Sequence, residues 1–189
     1  MDNKSTVFEE IIAGLSARDD RIQERIYIQY WGYLMGVATR YFKDRNIARE
    51  VVNDSFMKAF KTMYDFRHDH NLEDFQKTFK AWLAKITVRT ALDKIRANKS
   101  ALIYVEEYTD ELPVSHVEAE GKLFVEDILK LLYELPDLHR TVFNLYEIEG
   151  FSHDEIGEML TIPVSSSRTY LTRAKQKLRE LYLKSIEIK

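Results

Sequence analysis

Apolar residues recur at three- and four-residue steps along most of the chain, the spacing of helices that bury one face. Phe8, Ile11, Ile12 and Leu15 form the first such row, and Arg18-Asp19-Asp20 interrupts it. Ile26, Tyr30, Tyr33, Leu34 and Val37 predict the inner face of a longer helix reaching to about residue 42. Asp44 or Asn46 then caps a third helix to about residue 64, with Val52, Phe56, Phe60 and Met63 or Tyr64 inside. A polar connector, residues 67–74, precedes a fourth helix over residues 75 to about 98 with Phe75, Phe79, Trp82, Leu83 and Ile86 on one face.

The pattern breaks over residues 101–120. This segment holds Glu106, Glu107, Asp110, Glu111, Glu118, Glu120 and Pro113 but no Lys or Arg. An acidic stretch between two basic helical blocks reads as a linker, so domain boundaries are expected at 1–100 and 121–189. Helical spacing resumes through Leu123, Phe124 or Val125, Ile128, Leu131 and Leu132. Pro136 opens another helix where its missing N–H costs little. That helix carries Leu138, Val142, Phe143, Leu145 and Tyr146 to Gly150, a residue suited to a left-handed stop.

Residues 151–182 predict a helix-turn-helix. Ser152 and Glu155 form a capping box ahead of Ile156, Met159 and Leu160. Pro163 ends that helix, and Ser165 or Ser166 caps the next. Val164, Leu171, Ala174, Leu178 and Leu181 make its buried stripe. Ser166, Thr169, Arg173 and Lys177 lie opposite, with Arg168 and Lys175 on the flank. Short hydroxyls and long cations on an exposed helix suit base edges and phosphates in a major groove. The expected fold is therefore all-α: two helical domains joined by an acidic linker, the C-terminal one a helix-turn-helix domain.

Composition sharpens this picture. Hydrophobic residues at 45% and charged residues at 31%, with 6 Gly and 3 Pro, favour a folded, mostly helical chain. The formal net charge of −3 hides a strong segregation. Over residues 75–98, Lys77, Lys80, Lys85, Arg89, Lys94 and Arg96 face Asp93 alone in charge, and Lys85, Arg89 and Arg96 fall along one flank that can follow a phosphate backbone. The third helix instead turns Glu50, Asn53, Asp54, Met57 and Lys58 outward, a face that reads either as plain solvated surface or as a protein docking site, since Met adapts to partner surfaces. The absence of Cys removes disulfides and thiolate zinc sites. With no signal-peptide core and no apolar run of spanning length, a cytoplasmic protein without membrane insertion is expected. His68-Asp69-His70 lacks a third ligand group at a suitable spacing, so no metal site is expected. No Glu-x-x-His pair or nucleophile arrangement occurs, so no catalytic residue, cofactor or small-molecule substrate is expected.

Three segments in order, residues 47–60 (IAREVVNDSFMKAF), 79–96 (FKAWLAKITVRTALDKIR) and 135–160 (LPDLHRTVFNLYEIEGFSHDEIGEML), precede the basic second helix of the helix-turn-helix. Together they resemble the small two-domain bacterial sigma factors of the extracytoplasmic-function (ECF) type, within the sigma-70 superfamily. That resemblance implies a non-catalytic initiation subunit of RNA polymerase. Its first domain would hold core polymerase through Glu50, Asn53, Asp54 and Met57. The same domain would open the −10 element with Lys85, Arg89 and Arg96, with Trp82 supporting the packing. The connector would capture an unstacked base, with Asn71 and Phe75 as candidates.

The second domain would read the −35 duplex with Ser166, Arg168, Thr169, Thr172 and Arg173, and Lys177 extends the same outward face. The linker carboxylates would follow the polymerase's basic RNA-exit path, and an anti-sigma factor is the implied inhibitory partner. Thr161 stands where this family usually has Gly, and a β-branched residue at positive φ is strained, so the turn is expected to take different dihedrals. Ser165 replaces another frequent Gly and Tyr170 a common Arg, so the −35 sequence does not carry over. The competing reading is a helix-turn-helix repressor or activator that binds promoter duplex without polymerase. The outward Asn53-Asp54 face favours the polymerase subunit.

Overall fold

The computed structural model describes residues 3–66, 72–102 and 125–187, and every element among them is helical. Asn71, the His68-Asp69-His70 triplet and residues 103–120 of the expected linker lie outside the described residues. The chain divides into two compact units, residues 1–94 and 95–189.

The first unit is built from α1 (Asn3–Ala17), α2 (Ile22–Ala38), α3 (Arg45–Thr62), a 3-10 turn (Met63–Asp65) and α4 (Leu72–Leu102), whose last turns run past the division. Its core is the set of apolar rows read from the spacing: Ile11 and Leu15, Ile26 and Leu34, Val52 and Phe56, and Phe79 and Leu83 are all buried. Each such side chain contributes roughly 1.5–3 kcal/mol by leaving water. Asp44 is the cap of α3, its carboxylate accepting the Asn46 N–H at 2.7 Å.

Two boundaries differ from expectation. α2 stops at Ala38, where the backbone tightens: the Arg40 and Tyr41 N–H groups donate to the carbonyls three residues back, Val37 at 3.3 Å and Ala38 at 3.0 Å. Tyr41 and Phe42 stay buried beyond it, which prolongs the apolar row past the helix end. α4 starts at Leu72 rather than 75, placing Asp74 in its first turn, where the helix dipole favours an acid.

The second unit contains α5 (Val125–Tyr133), α6 (Asp137–Phe143), a π-helical turn (Asn144–Ile148), α7 (His153–Leu160) and α8 (Val164–Glu187). Leu132, Leu135 and Ala174 pack with Leu129, Phe143 and Leu178 at one part of its core. The single helix expected from Pro136 to Gly150 is broken by the π turn. This extra-residue turn buries both Asn144 and Leu145 while Tyr146, Glu147 and Ile148 face outward. Gly150 then takes a φ of 78°, as a left-handed stop requires.

The turn of the helix-turn-helix overturns two expectations. Thr161 does adopt the left-handed conformation, φ 55° and ψ 50°, despite its branched Cβ. The Ile162 N–H donates to the Gly157 carbonyl at 3.0 Å, and a Cβ at Gly157 would lie only 3.0 Å from the Ile162 oxygen. The close chain reversal fixes the backbone, and Thr161 accepts the strain. Thr161→Gly is therefore expected to stabilise the folded protein by about 1 kcal/mol in chemical denaturation. A loss of stability would mean that Thr161 side-chain contacts outweigh the strain. α8 also starts earlier than Ser165 or Ser166 would cap it: Pro163 precedes its first residue and accepts the Ser167 N–H at 3.1 Å.

Candidate functional site

Helix α8 buries one stripe and exposes another. Leu171 and Ala174 are buried, whereas Arg168, Thr169, Thr172, Arg173 and Lys177 are exposed and Ser166 is half-buried. The two threonines are not free rotors: Thr169 donates to the Ser165 carbonyl and Thr172 to the Arg168 carbonyl, each at 3.0 Å. Their oxygens keep acceptor capacity and both residues are exposed, a surface able to meet base edges. Lys175, on the flank, is occupied by Glu147 of the π turn at 2.6 Å.

A brace missed by the sequence reading fixes this helix. Ser167 is fully buried, and its hydroxyl shares a 2.9 Å hydrogen bond with His153 Nδ1 at the start of α7. The His153 ring stacks on Tyr146 with centroids 4.5 Å apart. Tyr146, His153 and Ser167 thus tie the π turn and α7 to the first turn of α8. The one available signal was that Ser167 falls within the apolar stripe, four residues before Leu171. Ser167→Ala removes a buried hydrogen bond and is expected to cost about 1 kcal/mol of stability. Unchanged denaturation would show that the bond contributes nothing net.

One turn further along α8, the half-buried Tyr170 ring lies 5.0 Å from that of His139 on α6. Burial, and then the nearby Arg173 charge, hold the His139 imidazole below its ordinary pKa.

In the first unit, Glu50, Asn53, Asp54 and Met57 all face outward on α3, Met57 with 61% of its surface exposed. Two of the four are held by neighbouring helices. Lys94 of α4 pairs with Glu50 at 2.8 Å, and the Tyr27 hydroxyl of α2 donates to Asn53 Oδ1 at 3.3 Å. Lys58 pairs with Asp93 at 3.0 Å. Exposed pairs of this kind add little stability, so their consequence is orientation. Along α4, Lys85, Arg89 and Arg96 are exposed and spread over about 16 Å of helix axis.

Phe75 corrects one expectation. Its ring has no exposed surface, stacks on Phe79 at 5.1 Å and meets Phe66 edge-on at 6.1 Å, so it anchors α4 instead of offering a face to a base. Phe66, the last described residue before the connector, also contacts Phe79 at 5.2 Å and the half-buried Trp82 at 5.1 Å. These rings fix the point from which the connector departs. Among the described residues no group of three or more His, Cys, Asp or Glu is placed to hold a metal, and no helix is long and apolar enough to cross a membrane.

Comparison with known proteins fits both units. Residues 26–101 match the family model for Sigma-70 region 2, and residues 126–178 match that for Sigma-70, region 4. The RNA polymerase sigma-H factor of Pseudomonas aeruginosa is 22% identical over 180 residues, which cover 89% of this chain and 90% of that protein. The ECF RNA polymerase sigma factor SigW of Bacillus subtilis is 29% identical over 145 residues, 70% of this chain and 74% of that one. Among solved structures, the sigma factor RpoE in complex with the anti-sigma factor NepR from Bartonella quintana covers 84% of this chain and 95% of its own. That match has 21% identity and a TM-score of 0.49. A stand-alone helix-turn-helix regulator accounts for the second unit only and leaves the region 2 match unexplained. The chain belongs to the sigma-70 family of RNA polymerase sigma factors, of the ECF type: a non-catalytic subunit that directs polymerase to promoters, with one region 2 and one region 4 domain.

Proposed function

We propose that the two units divide the promoter between them. Residues 1 to about 100 hold core polymerase through Glu50, Asn53, Asp54 and Met57 and assist strand opening at the −10 element through Lys85, Arg89 and Arg96. The connector holding Asn71 supplies the base pocket, with Phe75 serving it as a buried support. Residues 121–189 read the −35 element as duplex with Ser166, Arg168, Thr169, Thr172, Arg173 and Lys177. The segment 101–120 joins the two and lies against a basic path on the polymerase. An anti-sigma factor holds the protein inactive in the cytoplasm until a signal releases it.

The observation that carries this reading is the exposure of the cations on α4 and α8 while the apolar face of each helix is buried. Cations so placed neutralise phosphates and release counterions, giving salt-dependent binding. The outward α3 face supplies the contact with protein. The experiment is capture of purified core polymerase by the immobilised full-length chain. Stoichiometric retention supports the assignment, and a chain that binds promoter duplex but retains no core polymerase contradicts it.

A further inference from the structure

We propose that the −35 face continues from α8 onto α6, where His139 is an additional contact to the phosphate backbone and takes up a proton as the duplex docks. This rests on the reading above that Arg173 faces the duplex.

His139 lies on α6, packed against α8, the one helix of the second unit assigned above to DNA. Its ring is half-buried and lies 5.0 Å from that of Tyr170, tilted 33°, and Tyr170, itself half-buried, sits one turn before the exposed Arg173 on α8. On its own helix, the Asp137 carboxylate is taken by buried Arg140 at 2.7 Å, and that guanidinium also donates to the Leu135 carbonyl at 3.3 Å. Across the helix pair, the charge that acts on the imidazole is Arg173. Burial first, and then this neighbouring cation, keep the ring neutral near pH 7 in the free protein.

A docked duplex reverses both influences. Phosphates neutralise Arg173 and bring a negative potential to the ring, so its protonated form becomes favourable and donates a charge-assisted hydrogen bond to a phosphate oxygen. The sign follows from linkage. The imidazole pKa is depressed in the free protein and higher in the complex, so binding takes up protons. Affinity therefore rises as pH falls through the window between the two values, and is flat well above it. The Tyr170 ring holds the imidazole in place in both states.

The test is fluorescence anisotropy of the full-length chain with a duplex it has itself selected from a randomised pool, between pH 6 and pH 8 at constant ionic strength. Wild type is expected to bind about fivefold more tightly at pH 6 than at pH 8. His139→Phe keeps a ring against Tyr170 but carries no proton, and His139→Gln keeps a polar group; both are expected to lose the pH dependence. A flat wild-type profile, or a wild-type slope that persists in His139→Phe, overturns the proposal while leaving the −35 assignment standing. An Arg173→Ala chain that binds as wild type at every pH overturns the assignment and the proposal together.

Discussion

Arg173→Ala is expected to weaken binding of the full-length chain to its −35 duplex by about 1–3 kcal/mol, the range of one bidentate guanidinium contact to a guanine edge. The side chain is exposed on α8, while the neighbouring Leu171 and Ala174 carry the packing, so truncation leaves the buried stripe intact. Alanine is also the best helix former, which removes local unfolding as the cause of a loss. The form of the loss distinguishes two roles. A base contact relaxes sequence preference at one position, whereas a phosphate contact weakens all sequences alike and lowers the salt slope by about 1. Unchanged affinity removes Arg173 from the recognition set.

Asp54→Ala is expected to cost about 2 kcal/mol in association with core polymerase, the size of an interface hot spot, while duplex binding by the second unit is unchanged. Asp54 points outward on the face that also carries Asn53, positioned by Tyr27, and the exposed Met57, and lies opposite the buried Val52 and Phe56. Its loss removes a charge from a surface whose neighbours are already held in place. A competition assay on core polymerase measures the effect. If duplex binding falls in parallel, misfolding is the simpler account and the docking face is not supported.

Much of this architecture was legible in the chain because it depends on spacing alone. The α3 rows separate Val52 and Phe56 from Glu50, Asn53, Asp54 and Met57 by helical geometry, and the structure buries the first pair and exposes the other four. The capping box of Ser152 with Glu155 and the left-handed Gly150 were equally local signals. What spacing could not show was anything decided by contacts distant in sequence. Ser167 is buried by its bond to His153, fourteen residues away, a partner that helical phase does not reveal. Phe75 is claimed by Phe66 and Phe79 before any base could use it. The π turn at Asn144 depends on burying two adjacent residues, and Thr161 is left-handed because the α7–α8 reversal leaves no other path. Intrinsic preference favoured different answers at each of these positions, and tertiary packing overrode it.

The division of labour between the units meets its most direct test in run-off transcription with purified core polymerase and the full-length chain. The template is a promoter fragment recovered from genomic DNA by the reconstituted holoenzyme. Core polymerase alone is expected to give no specific transcript, and adding the chain is expected to give one that is lost when either the −10 or the −35 element is scrambled. A transcript that survives scrambling of either element, or one that appears without the chain, would contradict the account.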